Sequence, residues 1–248
     1  MKISKFRDLT LIDINKDQIL VISCDSCGGI GEKERDIVNA PPDIVGYFTT
    51  QVALSEVLAV GATPVTVVNT LAVEMNDTGK KIIDGVKKAL QPLCFDENDI
   101  ITGSTEENFP VCQTAMGITI IGIADKKNWK IPTTKSEELA VVVGIPKVGN
   151  DVLEDGGKEI LSIPILQQLV SNSDVSEILP VGSKGILYEL EQLAATNNLS
   201  FELFDNLVVD IKKSAGPATC AICSINQRYF DRFRASIGIP VNIIGRFA

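Results

Sequence analysis

The chain has 248 residues, 45% of them apolar and 22% charged, so it carries material for one large domain or two small ones with real cores, and it is not a disordered chain. Its 23 Lys and Arg stand against 32 Asp and Glu, a net charge of −9 that argues against a protein living on nucleic acid or anionic membrane. There is no histidine, which removes Ser-His-Asp and Cys-His pairs, His-ligated zinc and histidine general bases, and leaves carboxylates, lysines, hydroxyls, backbone donors and bound metal.

Residues 1–8 lack the apolar stretch of a signal peptide. The longest apolar region, 52–73, is broken by Glu56 and Pro64, so the expectation is a cytoplasmic protein with no membrane span. Residues 18–24 form a nearly continuous β-branched run, predicting a strand buried on both faces. A glycine-rich charged loop follows over 26–40. Pro41-Pro42 then opens a helix predicted over 43–60, with Gly61 as its C-cap. Residues 64–75 read as a second strand, and 79–90 as an amphipathic helix with Ile82, Ile83, Val86 and Leu90 on one stripe. A short strand is predicted at 99–102, a polar loop at 103–111 and a long apolar strand at 112–124.

Residues 126–138, rich in Lys, Pro and Thr, read as a connector. Beyond it the pattern predicts a strand at 139–143, a turn into helix at 149–153, helices at 160–170 and 186–195, and strands at 219–225 and 241–244. Mixed runs of this kind indicate an α+β architecture in two halves. Two CxxC spacings, Cys24 with Cys27 and Cys220 with Cys223, touch strand-like runs. Residues three apart on a strand point to opposite faces, which favours a structural role over zinc or redox work.

Glu56 is the best chemical clue. Three and four residues away on a helix are Val52, Ala53, Ala59 and Val60, so either its carboxylate is buried or set at a pocket rim and needs a metal, a cation or a proton, or it is simply an acid at the edge of a partly exposed helix. Asp25 directly follows a buried strand, a common place for site residues, although aspartate there is also a turn former. The loop from Ser26 to Asp36 holds Gly28, Gly29, Gly31, Lys33 and Arg35. It either cradles a phosphate or is a surface loop, and it contains neither GxxxxGK[ST] nor GxGxxG. Residues 102–108, Thr-Gly-Ser-Thr-Glu-Glu-Asn, crowd hydroxyls and two carboxylates; they are either a suitable oxygen set for Mg²⁺ and ribose hydroxyls or an ordinary hairpin loop. Asn69, inside an apolar run, faces either solvent or the same cleft.

Taken together, these segments resemble the aminoimidazole ribonucleotide synthetase (PurM-like) superfamily. Residues 46–64, Gly-Tyr-Phe-Thr-Thr-Gln-Val-Ala-Leu-Ser-Glu-Val-Leu-Ala-Val-Gly-Ala-Thr-Pro, match its central helix, and the family's acidic metal position falls on Glu56. Asp25 falls on the aspartate ending its first strand motif, and 102–105 on its Gly-Gly-Asp-Thr loop. Residues 144–151 and 214–219 resemble motifs of its C-terminal domain. The chain departs from the pattern in having Ser104 for the loop acid and Ala53 for a helix asparagine. It has no histidine after the first strand motif and no counterpart of the catalytic Cys/Lys segment of selenophosphate synthetases. Residues 24–31, 68–79 and 102–114 look like the short α-ribazole kinases of cobalamin salvage.

The resemblance implies a two-domain PurM-like α+β fold, an N-terminal ATP/Mg-binding domain over 1–130 and a C-terminal domain over 131–248. It implies transfer of the ATP γ-phosphate to the 5′-hydroxyl of α-ribazole by a homodimer that binds ATP, Mg²⁺ and a riboside. Metal would be held by Asp25, Glu56, Glu106 and Glu107, and ATP by Ser26, Gly28, Gly29, Asn69, Gly103, Ser104 and Thr105. Asp25, Asp36 and Lys33 would be catalytic. The alternatives are another ATP-dependent member of the superfamily and a nucleotide-binding regulator without catalysis.

Overall fold

The computed structural model describes residues 2–127, 129 and 131–248. It divides into two compact units, Met1–Val57 with Ala62–Lys127 and Leu58–Gly61 with Asn128–Ala248. Of the connector expected at 126–138, Asn128 and Lys130 lie outside the described residues.

In the first unit the chain forms β1 (Ile3–Phe6), β2 (Leu9–Asp13), β3 (Gln18–Gly28), the two-residue strands β4 (Ile30–Gly31) and β5 (Val38–Asn39), and α1 (Pro42–Ala59). There follow β6 (Thr63–Leu71), α2 (Lys80–Leu90), the single turn α3 (Glu97–Ile100), β7 (Ile101–Thr105) and β8 (Ala115–Asp125). Six of the strands make one sheet in the order β1-β2-β3-β8-β6-β7, antiparallel except for the β6–β7 pair at one edge. β8 is central, and its residues alternate between buried and half-buried along the strand. That alternation is the signature of a sheet with one covered and one open face. Met116, Ile118, Ile120 and Ala124 point to the covered side. α1 covers it so closely that a Cβ on Gly122 would stand 2.7 Å from Val57 Cγ1.

α1 and α2 also approach each other at small residues. A Cβ on Gly46 would lie 2.1 Å from the Ile82 carbonyl oxygen, and one on Gly85 would lie 1.9 Å from that of Asp43. α1 ends where Gly61 takes a φ of +76°, its N–H donating to the Leu58 carbonyl and that of Ala62 to Val57. This is the Schellman pattern that glycine permits.

The second unit contains β9 (Leu139–Gly144), α4 (Asn150–Asp155), α5 (Ile163–Ser171), β10 (Val175–Pro180), α6 (Gly185–Thr196), β11 (Phe201–Leu203), β12 (Cys220–Ile225), α7 (Phe230–Ser236) and β13 (Val241–Phe247). Its sheet runs β10-β12-β9-β13-β11, with every pair antiparallel. β9 and β12 are buried at every residue. Val142 and Ile222 share a core with Ile186 and Leu190 of α6.

Several sequence expectations are corrected. β3 does not stop at Cys24 but runs to Gly28, because β8 pairs with it residue for residue as far as Gly28↔Ala115. Residues 99–102 are not a strand from their start. A helical turn ends at Ile100, and β7 then extends to Thr105 because Val67–Leu71 supply partners for Ile101–Thr105. The strand expected over 64–75 ends at Leu71, and the helix expected from 160 begins at Ile163 with Pro164 in its first turn. β1, β2, β10, β11 and α7 had no expectation.

Candidate functional site

The register of the first sheet sorts the expected residues onto two faces. Directly paired residues share a face, so Asp25, Ile118, Asn69 and Gly103 form a row across β3, β8, β6 and β7 on the helix-covered side. The next row, Ser26, Gly117, Thr70 and Ser104, lies on the open side. Three of those four residues carry hydroxyls. Gly117 keeps the row continuous, since a Cβ there would meet Thr70 Oγ1 at 2.7 Å.

This hydroxyl row lines an open cavity of about 700 Å³, whose wall includes Gly28, Thr105 and Glu106. Glu106 Oε1 accepts the backbone N–H groups of Asn108 and Phe109 at 2.7 and 3.3 Å, which fixes the carboxylate at the end of β7. No Lys or Arg is among the described residues lining this cavity. A polyanion seated there would need to bring its own cations, and Mg²⁺ commonly binds through substrate phosphates and one or two carboxylates. The donor set, hydroxyls with one carboxylate, fits a magnesium ion held chiefly by phosphates. It is not a preformed acidic cage: among the described residues no three His, Cys, Asp or Glu side chains are grouped to hold a metal.

The expected acids therefore do not converge. Asp25 is half-buried on the covered face, and burial pushes its carboxyl up to about 6, a hydrogen bond with the Ser26 backbone pulling the other way. Glu56 is half-buried on the α1 stripe with Val52 and Ala59, and lines neither this cavity nor the one described next. Glu107 Oε1 accepts the Met75 N–H at 2.7 Å and the Thr105 hydroxyl at 2.9 Å, tying the segment after β6 to β7.

Asp36 and Lys33, two of the three residues expected to be catalytic, make contacts that tie the loop in place. Asp36 accepts the Lys33 N–H at 2.8 Å, the Thr114 N–H at 2.8 Å and the Thr114 hydroxyl at 2.7 Å, so both its oxygens tie the 26–40 loop to the start of β8. Lys33 Nζ donates to both oxygens of Glu74, at 3.0 and 2.8 Å. Gly29 belongs to the same tie, its carbonyl accepting from Ile37 and Val38. None of the three lines the cavity.

Asn69 and Gly103 line a second, smaller cavity of about 200 Å³ beside β7, together with Met75, Ile83 and Ile101. Ser104 and Thr105 border both cavities. Asn69 is only 3% exposed and donates from Nδ2 to the Thr102 carbonyl at 3.0 Å, which settles its direction inward. Sequence reasoning missed Thr70, Gly117 and the apolar wall. The first two were accessible in principle, since pairing 66–71 with 116–121 places Thr70 opposite Gly117.

In the second unit, the two stretches resembling C-terminal motifs meet. The Lys147 N–H donates to Thr219 Oγ1 at 2.9 Å, and Lys213 pairs with Asp151 at 2.6 Å. Lys147 Nζ is committed to Asp155 and Glu159. Cys220 and Cys223 are buried on β12, and burial pushes the Cys223 thiol up to about 12, so both remain thiols. Cys24 and Cys27 fall on opposite faces of β3, as the strand's period requires.

A sheet with two crossing helices on one face, followed by a second α+β unit, defines the class: this is the PurM-like fold. Residues 6–124 match the family model described as AIR synthase related protein, N-terminal domain. Among solved structures, the chain is similar to thiamine-monophosphate kinase from Stenotrophomonas maltophilia K279a, at 16% identity over 99% of this chain and 88% of that one, with a TM-score of 0.66. It is similar to AaThiL complexed with AMPPCP and TMP, at 14% identity over 98% and 86%, TM-score 0.64. A third is HypE of E. coli, at 14% identity over 92% and 79%, TM-score 0.67. At such identities the likeness is one of fold. No curated protein sequence matches the chain. Among the described residues, no helix is long and apolar enough to cross a membrane.

Proposed function

We propose that the chain is an ATP-dependent phosphotransferase of the AIR synthase-related superfamily, and that it phosphorylates the 5′-hydroxyl of a riboside, α-ribazole. The observation that carries this reading is the open-face cavity, where the hydroxyls of Ser26, Thr70 and Ser104 lie in one row with Glu106 at its end and no Lys or Arg is among the described residues of its lining. That is a surface for a triphosphate accompanied by Mg²⁺. The similar structure bound to AMPPCP supports a nucleotide on this fold.

In this reading Ser26, Ser104 and Thr105 orient the phosphate oxygens, and Glu106 is the carboxylate toward Mg²⁺. When bound, Mg²⁺ supplies the positive charge that offsets charge on the transferred phosphoryl group. Asp25 and Glu56, away from the cavity lining, receive no direct phosphate contact. Lys33 and Asp36 keep the 26–40 loop against β8, so the edge holding Ser26 and Gly28 stays in place.

The working form is a cytoplasmic homodimer joined through the open face of the first sheet. Leu20 and Ile22 of β3 and Ile121 and Ile123 of β8 are half-buried on that face, an apolar patch suited to self-association.

The test is to incubate purified protein with ATP, Mg²⁺ and α-ribazole and to follow the riboside 5′-phosphate by mass spectrometry, with thiamine monophosphate as a parallel acceptor. Product from α-ribazole alone, lost when Mg²⁺ is chelated, is the expected result. Product from thiamine monophosphate instead would replace the acceptor. A non-catalytic nucleotide-binding regulator is the second reading, favoured by Ser104 where the family has an acid and by the absence of a three-acid group among the described residues. ATP binding without product from either acceptor would select it.

A further inference from the structure

Glu106 holds two things with one carboxylate. It lines the open cavity, and its Oε1 accepts the backbone N–H groups of Asn108 and Phe109 at 2.7 and 3.3 Å. Among the described residues, those two bonds are the only hydrogen bonds to residues 108–111. The loop is tied down on either side of them. Glu107 Oε1 accepts from the Met75 N–H and the Thr105 hydroxyl, and the Cys112 carbonyl accepts the Arg35 N–H at 2.9 Å. Thr114 is bound by Asp36. A tip fixed at both ends and held between them by one side chain opens at a single point.

The tip carries Phe109, which is 73% exposed, the most exposed aromatic residue among those described. Three residues of chain span at most about 11 Å, so the ring stays within reach of the cavity wall at Glu106. The cavity itself has no aromatic ring among the described residues of its lining. A large apolar side chain is thus kept beside the phosphate surface rather than in it.

In phosphoryl transfer to a riboside, the acceptor hydroxyl oxygen attacks the γ-phosphorus and the bond to the bridging oxygen of the β-phosphate breaks. ADP, the phosphomonoester and a proton result. Water attacking the same phosphorus gives ADP, inorganic phosphate and a proton. An open cavity admits water as freely as a riboside, so preference for the riboside needs a cover.

We propose that residues 108–111 are a lid over the open cavity, with Glu106 as its latch and Phe109 as the side chain that keeps water from competing with the acceptor. The lid rests on the phosphotransferase reading for the ligand beneath it. Carboxylate charge turned toward Mg²⁺ is withdrawn from the Asn108 and Phe109 N–H groups, so filling the cavity frees the tip.

The test reads the emission of Phe109→Trp against wild type, whose one tryptophan is Trp129. Adding Mg²⁺ with AMPPCP, a non-hydrolysable ATP analogue, is expected to move that emission to shorter wavelength, and AMPPCP with EDTA is not. Glu106→Gln keeps an acceptor for both N–H groups without the charge, and in the Phe109→Trp background it should abolish the Mg²⁺-dependent shift. In turnover with ATP, Mg²⁺ and α-ribazole, Phe109→Ala should raise the inorganic phosphate released per riboside phosphate formed by about fivefold or more, with Phe109→Leu near wild type. Emission that ignores Mg²⁺ and AMPPCP, a shift that survives Glu106→Gln, or an unchanged ratio in Phe109→Ala would overturn the lid. A lower mass of Phe109→Ala in light scattering would also overturn it, making Phe109 a contact between copies. Failure of the phosphotransferase reading looks different: the shift and its loss in Glu106→Gln are both seen, yet no riboside phosphate forms.

Discussion

Asp25 is the residue where burial and charge are most openly opposed. Its carboxyl is pushed from an ordinary 3.8 to about 6, because the covered face of the sheet disfavours the ionised form. A group with a raised folded-state value stabilises the fold below its unfolded value, and that contribution is lost as pH rises through about 6. At about 1.4 kcal/mol per pH unit, the gap sets a ceiling of roughly 3 kcal/mol, lowered by partial exposure. Asp25→Asn is therefore expected to raise stability toward urea at pH 8 and to leave it unchanged at pH 4. Equal effects at both values would show that the carboxyl is not desolvated. Asp36 is a hydrogen-bonding anchor instead. With three donors on its carboxylate, Asp36→Ala should cost about 2–4 kcal/mol in urea unfolding, because those donors lose a charged acceptor. A variant as stable as wild type would refute the loop-tying role. Sequence alone marked both residues but could not separate them, since a turn former, a site acid and a loop tie share one residue type and differ only in what lies across the sheet.

At the scale of elements, the crossing of α1 and α2 decides against local propensity. Alanine is preferred to glycine inside a helix by about 1 kcal/mol. At Gly46 and Gly85, however, a Cβ would sit 2.1 and 1.9 Å from carbonyl oxygens of the partner helix, and backbone cannot yield as a flexible side chain does. Gly85→Ala should thus destabilise by several kcal/mol, with a lowered denaturation midpoint as the readout; an unchanged or raised midpoint would mean that the helices separate freely. The periods of α1, α2, β3 and β8 were legible because each buries a long, regular apolar pattern. β1, β2 and β10 were not, because they are short strands whose identity comes from register with neighbours rather than from their own alternation. The site suffered from the same cause. Ser26, Thr70 and Ser104 lie far apart in sequence, and only the pairing β3-β8-β6-β7 puts their hydroxyls in one row. Their loops looked like binding loops, whereas the groups lining the cavity belong largely to strands.

At the scale of the molecule, the open face of the first sheet has two chemistries at its two ends. The hydroxyl row occupies one end, while Leu20, Ile22, Ile121 and Ile123 occupy the other, and the register shows them to be one continuous surface. An apolar end left in water would be an association liability, so the proposed dimer gives that half a partner while leaving the polar half to ligand. Ile121→Arg, which touches neither cavity lining, tests this division. Light scattering should find a dimer for wild type and a monomer for the variant, whose circular dichroism stays native. Mg²⁺ and ATP supply the companion measurement, because a ligand bound only by the folded state adds about 2.7 kcal/mol at a hundredfold excess over its dissociation constant. If the polar end is self-sufficient, the monomeric variant keeps the full ATP-induced rise in melting temperature. If that rise disappears together with the dimer, residues of the second copy complete the nucleotide site, and the hydroxyl row alone does not hold the triphosphate.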